Sequence, residues 1–160
     1  MTVAEAFTRL AALCAKGEHC QHDMLERMRR WGMDDEGQAQ VMEKLTDGRY
    51  VDDERYARAF VSDKIRYGKC GRRKIEQALR MKHIADDTVA RVLGEVDDEE
   101  YLSILRPLIR QKLKSTKASS DYERRMKVTK YALGRGYTFD IIRQCLDVDD
   151  ADMDDEEALS

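Results

Sequence analysis

Residues 24–33 read Met24-Leu25-Glu26-Arg27-Met28-Arg29-Arg30-Trp31-Gly32-Met33, and the skeleton of this stretch returns twice further along the chain. Met24, Met28 and Gly32-Met33 match Ile75, Leu79 and His83-Ile84, and then Val128, Ala132 and Gly136-Tyr137, with identical offsets in each copy. A spacing of i, i+4 places each apolar pair on one helical face. Gly32 and Gly136 stand where a helix C-terminus takes a left-handed residue, a conformation glycine adopts without a β-carbon penalty. His83 occupies the equivalent place as a poorer but tolerable stop. A capping-type residue follows each turn (Asp34, Asp86, Thr138). A further helix comes next, with the apolar pairs Val41/Leu45, Val92/Val96 and Ile142/Leu146.

Another helical segment precedes each copy, carried by Ala6, Leu10 and Leu13, by Ala57, Phe60, Val61 and Ile65, and by Tyr101, Ile104, Leu105 and Leu108. The period of helix, helix, helix is about 50 residues. Acidic residues open the second and third units in Asp52-Asp53-Glu54 and Asp97-Asp98-Glu99, suiting an N-cap and the positive end of a helix dipole. The expected fold is therefore all-α, with nine helices in three tandem three-helix repeats forming an elongated, curved array. The repeats are expected over residues 1–51, 52–96 and 97–148, with the middle helices ending at Gly32, His83 and Gly136. Lys114 to Ser120 reads as a looser connection inside the third unit. Replacing Gly136 by valine should cost more than replacing His83 by glycine.

Charge divides unevenly over the 160 residues. The formal net charge is −3, yet Asp147 to Ser160 holds eight acids and no Lys or Arg, so the 29 basic residues meet only 24 acids in residues 1–146 and leave that body at +5. Residues 149–160 are expected to form a disordered acidic tail, dispensable for folding, because such a run buries too little apolar surface to hold a shape. Basic residues concentrate over Asp63 to Lys82 and again over Arg106 to Arg135, where ten stand against Asp121 and Glu123. Two such runs in succession point to a polyanion or an acidic protein surface as partner.

No apolar stretch reaches the roughly 18 residues of a membrane span, and the N-terminus lacks a secretory pattern, so a cytoplasmic protein is expected. Cys14, Cys20, Cys70 and Cys145 show no framework spacing and read as free thiols. The cluster Cys14, His19, Cys20 and His22 matches no zinc pattern and reads as a polar turn. Gly68-Lys69-Cys70-Gly71 follows a helix, so it reads as a helix-to-helix turn rather than a phosphate loop. None of His19, His22 and His83 has a neighbouring nucleophile arrangement, and the carboxylates lie at helix starts and in the tail. Catalysis, metal and cofactors are not expected.

Sequence-specific DNA reading is also disfavoured. The final helices of the first two units offer only Lys44 and Arg91 as bases, short of the Arg, Asn and Gln set that reads base edges. The positive charge sits instead on the middle helices and on the long first helix of the third unit. Arg72, Arg73 and Lys74, with Arg124, Arg125 and Lys127, are expected to open the middle helices of their units at corresponding positions and to form the main partner-facing surface. Lys64 and Lys69 join them, and Tyr50, Arg55 and Tyr56 stand in reserve. Folding does not ask for cations at a helix N-terminus, where the dipole disfavours them.

Tyr50-Val51-Asp52-Asp53-Glu54-Arg55-Tyr56-Ala57 with Phe60-Val61, Gly71-Arg72-Arg73-Lys74-Ile75 through Leu79, and Gly134-Arg135-Gly136-Tyr137 through Ile142 resemble the motifs of the RecX family, bacterial regulators of the RecA recombinase. The likeness runs from about Val3 to Val148, departing at His83, where the family usually has glycine, and in the acidic tail. The resemblance implies an all-helical repeat protein that binds RecA filaments on DNA and suppresses their strand-exchange, ATPase and co-protease activities, without catalysis or cofactor. A monomer is expected. Direct, non-sequence-specific nucleic-acid binding is the competing expectation, and a weak DNA contact is compatible with either.

Overall fold

A computed structural model describes residues 1–147; the acidic tail expected over 149–160 lies outside the described residues. Among the described residues there are nine helices and no strand. They are α1 (Val3–Lys16), α2 (Gln21–Arg30), α3 (Asp35–Asp47), α4 (Asp53–Arg66), α5 (Arg72–Met81), α6 (Asp86–Gly94), α7 (Asp98–Ser115), α8 (Asp121–Gly134) and α9 (139–147). No helix is long and apolar enough to cross a membrane among the described residues.

The repeated turn is the same device each time. Gly32, His83 and Gly136 have φ of 73°, 58° and 95°. Their amides donate to Arg29, Arg80 and Leu133 carbonyls at 2.9, 3.0 and 2.9 Å, and the next residue's amide donates back to Met28, Leu79 and Ala132 at 3.1, 3.2 and 3.2 Å. This paired closure satisfies carbonyls that the helix end would otherwise leave open. It also tucks Met33, Ile84 and Tyr137 under the turn, with Ile84 and Tyr137 fully buried. Two further helix ends, at Arg49 (φ 58°) and Lys69 (φ 51°), adopt the left-handed conformation without glycine.

The chain divides into two compact units. One comprises Met1–Val61 with Ala78–Val92, and the other Ser62–Gln77 with the described residues from Leu93 onward. In the first, α1 and α2 both pack on α3. Ala6, Leu10, Met24, Met28, Val41, Met42, Leu45 and Val51 form its core. Each large side chain so buried contributes roughly 1.5–3 kcal/mol before entropy is counted. The three methionines, flexible and unbranched, suit irregular space between helices.

The two aspartates that open α4 have separate tasks in this unit. Asp52 accepts from the amides of Glu54 and Arg55 at 3.0 and 3.1 Å, capping its own helix. Asp53 instead accepts from the Gln21 amide at 2.9 Å and the Gln21 side chain at 3.4 Å. It thereby caps α2, whose own N-cap residue, Cys20, makes no side-chain cap bond. Asp23 on α2 pairs with Lys82 at 2.8 Å, and the rings of His22 and His83 stack with centroids 4.1 Å apart.

In the second unit α7 packs on α8. Its buried apolar residues include Leu102, Leu105, Ile109, Val128, Ala132, Ile142, Cys145 and Leu146. On α7 the buried stripe falls on Leu102 and Ile109 rather than on Ile104 and Leu108, which are half-buried. The apolar positions of α7 fit two adjacent faces, and packing on α8 selects between them.

Candidate functional site

The geometry of the second unit is set at one junction. The Gly71 amide donates to the Arg135 carbonyl at 2.9 Å, and the Arg73 amide to the Gly136 carbonyl at 3.0 Å. The C-terminal end of α8 thus caps the N-terminus of α5 through backbone alone, joining the negative end of one helix dipole to the positive end of another. A β-carbon at Gly71 would fall 2.2 Å from the Tyr137 nitrogen, and one at Gly136 would fall 2.5 Å from the Lys74 β-carbon. The Arg135 guanidinium closes the junction from the other side, donating from Nε to the Lys69 carbonyl at 2.9 Å and from Nη2 to the Gly68 carbonyl.

This junction holds Arg72, Arg73 and Lys74 in the first turn of α5, a turn that contains no acid. All three are exposed. None makes a side-chain hydrogen bond or ion pair among the described residues. Beside them lies a cleft of about 390 Å³ lined by Arg72, Arg73, Asp98, Tyr101, Phe139 and Asp140, with Val96 and the Tyr137–Ile141 segment completing its wall. Phe139 is 54% exposed. Burial pushes the Tyr101 and Tyr137 phenols up to about 12, so both stay protonated and remain donors at neutral pH.

The other triplet is placed differently. Val128 aligns with Ile75, but α8 begins at Asp121, one turn earlier than the alignment with α5 requires. Arg124, Arg125 and Lys127 therefore do not open their helix, which corrects that expectation, although Arg125 and Lys127 keep the offsets of Arg72 and Lys74 from the aligned apolar residue. The extra turn carries Asp121 and Glu123. Arg124 pairs with Asp121 at 2.7 Å and donates to the Thr116 carbonyl at 3.4 Å. Lys127 pairs with Glu123 at 3.4 Å and donates to the Lys117 carbonyl at 2.9 Å. Arg125 lies half-buried on the same helix.

The remaining expected residues scatter. Lys64 and Lys69 are exposed, on α4 and in the turn that follows it. Arg55 is held by Glu18 at 2.6 Å and by the carbonyls of Arg49 and Tyr50 at 3.0 and 3.3 Å. Tyr50 is partly exposed and sets its ring edge-on to Phe7 at 5.5 Å. Tyr56 is 8% exposed, its phenol pushed up by burial and by the nearby Cys20, Asp23 and Asp53, so it offers a partner no open surface. The stretch from Tyr50 to Ala57 thus builds the first unit: Val51, Tyr56 and Ala57 fill it, and Asp52 and Asp53 cap two helices.

Sequence reasoning missed Tyr101 and Phe139 as cleft residues and Arg135 as the clamp. Arg135 had one available signal, its place between two glycines at a repeated turn.

The nine helices of the described residues, carrying one turn device three times, define an all-α helical-repeat protein. The chain belongs to the RecX family: the model of the second RecX three-helix domain matches residues 52–93, and that of the third matches 98–146. Proteins called Regulatory protein RecX match in Vibrio campbellii, at 26% identity over 88% of this chain and 88% of that one, and in Acinetobacter baylyi, at 28% over 84% and 82%. One from Lactobacillus johnsonii is 35% identical over 81 residues, 51% of this chain and 30% of its own length. This chain therefore matches less than a third of that relative. The crystal structure of RecX from Lactobacillus salivarius superposes with a TM-score of 0.85 at 17% identity, covering 93% of this chain and 97% of that one, and a crystal structure of regulatory protein RecX gives 0.82 at 19%, covering 91% and 73%. At these identities the two structures speak for the fold.

Proposed function

We propose that this chain is a non-catalytic regulator of RecA, binding RecA filaments on DNA and suppressing their strand-exchange, ATPase and co-protease activities. Membership in a family of regulatory proteins supports the target. The observation that carries the surface is the set of three exposed cations, Arg72, Arg73 and Lys74, unpaired among the described residues and fixed on a backbone-to-backbone junction. Cations held there contribute nothing to folding that the junction does not already supply, which leaves recognition as their use. We read the working form as a cytoplasmic monomer built of three three-helix units, divided near Asp52 and Asp97.

RecA's ATPase on single-stranded DNA tests this directly. The parent chain should suppress it, and the variant with alanine at positions 72, 73 and 74 should need a several-fold higher concentration at the same ionic strength. Equal suppression by both proteins would remove this surface from the reading. Tight binding to bare DNA at about 0.15 M salt, without any effect on RecA-coated DNA, would favour the competing nucleic-acid reading.

A further inference from the structure

The cleft beside Arg72 contains more than charge. Tyr101 is 4% exposed, and its hydroxyl has no hydrogen-bond partner among the described residues. A buried polar group left unpaired costs about 1–3 kcal/mol, so such a group calls for an explanation. Arg72 and Asp98, both lining the cleft, lie close enough to this hydroxyl to act on its charge state. Asp98 makes no ion pair among the described residues, while Asp140 pairs with Arg143 at 3.2 Å. Among the described residues the lining therefore offers two unpaired guanidiniums, one unpaired carboxylate, two idle phenols, Tyr101 and Tyr137, and an exposed phenyl ring.

We infer that this cleft is a docking site for a short acidic–apolar peptide segment of a partner protein, with a carboxylate side chain between Arg72 and Arg73 and an apolar side chain against Phe139. The mixed signs select a peptide over a nucleic acid. A phosphodiester strand presents only negative groups along its backbone, and Asp98 and Asp140 would repel it. A peptide carries amide N–H donors as well as its acid, so Asp98 can accept from the backbone while the arginines take the carboxylate in a forked, charge-assisted pair. The volume is within the range of about 300–1,000 Å³ typical of small-ligand sites. The Tyr101 hydroxyl is closed to water in the free protein, so it meets the ligand only after rim side chains reorder; Arg72 and Arg73, exposed and unpaired, are free to do so. The inference rests on reading this face as the partner surface, and not on the identity of the partner.

The test is an array of blocked tetrapeptides scanning all residue pairs at the two central positions, probed with the full chain at about 0.15 M salt. Acid-plus-apolar pairs should be retained. The double variant Arg72→Gln, Arg73→Gln should weaken their binding roughly tenfold or more, the loss expected for charge-assisted bonds. Tyr101→Phe gives the distinguishing readout. It should weaken binding several-fold while leaving the melting temperature unchanged or raised, because the hydroxyl it removes is unsatisfied in the free protein. The inference is overturned if acids are not selected, if Arg72→Gln, Arg73→Gln retains the same peptides equally well, or if Tyr101→Phe destabilises the fold without affecting binding. A thymidine oligonucleotide that binds more tightly with the same arginine dependence would also overturn it in favour of nucleic acid. Peptide selection without any effect on RecA's ATPase would leave the inference standing and remove RecA as the target.

Discussion

The basic triplets of α5 and α8 look alike in sequence and differ in the folded protein because of the turn in front of them. In α8 an additional first turn brings Asp121 and Glu123 within i+3 and i+4 reach of Arg124 and Lys127, and the loop carbonyls of Thr116 and Lys117 take further donors. In α5 that turn is absent, because the Arg135 and Gly136 carbonyls already occupy the amides it would have shielded. Cations next to acids are consumed by local pairing, whereas cations on a backbone-capped helix start are left facing outward. Equal charge density in the sequence thus yields one self-satisfied segment and one available segment.

The comparison breaks most violently at the glycines that make the α5 junction possible. Gly71→Ala places a β-carbon 2.2 Å from a backbone nitrogen, where no side-chain motion can relieve it. It should cost about 3 kcal/mol or more, lowering the melting temperature by about 10 °C or more. Gly136→Val should be comparable, adding a branched side chain at positive φ to a contact with Lys74. Gly134→Ala, two residues away and facing open space, should be neutral or stabilising by up to about 1 kcal/mol. If Gly71→Ala melted within a degree or two of the parent, the backbone junction would not be what holds the α5 triplet in place.

The alanine triplets sharpen the contrast by moving different readouts. Changing Arg124, Arg125 and Lys127 should destabilise by about 0.5–1 kcal/mol, the sum of weak exposed pairs, and leave RecA suppression within about twofold. Changing Arg72, Arg73 and Lys74 should leave the urea midpoint unchanged and shift the suppression curve several-fold. Urea unfolding and ATPase titration on the same two variants give all four values. Equal losses of suppression would mean that the pairing seen on α8 does not divide the two triplets functionally.

Much of this architecture was legible because it is local. The three repeated turns were marked by two glycines and one positional analogue, and the left-handed φ of His83 shows that offset outweighs residue type there. Arg49 and Lys69 take the same conformation with no sequence mark, since any residue can be forced into it by a helix end that must close. The α5–α8 junction was hidden for a different reason. Backbone carbonyls do the capping, so its only trace is two glycines 65 positions apart, each readable as an ordinary turn. Tyr56 was misjudged as available because an aromatic next to Arg55 on an amphipathic helix has two possible fates, and only the position of α2 decides between them.

The smallest expected effect concerns how α8 satisfies itself. Glu123 accepts from the Ser119 hydroxyl and, at 3.0 Å, from the Ser119 amide, and it faces Lys127 at 3.4 Å. These donors, the Ser119 hydroxyl first, hold its carboxyl down to about 2, well below the usual 4.5. A carboxyl whose proton is held more weakly in the folded state adds stability above its unfolded value, and that contribution fades as pH falls from about 4.5 towards 2. The group is open to solvent, so the gain is small and screened by salt. Carbon-detected NMR titration should place the Glu123 midpoint clearly below the usual 4.5, and Ser119→Ala should return it most of the way. No equivalent titration exists in the first turn of α5, where acids are absent, so the acid-side slope of stability should flatten in Glu123→Gln and stay unchanged when Arg72, Arg73 and Lys74 become alanine. A Glu123 midpoint in the ordinary glutamate range would remove the self-satisfied character assigned to α8.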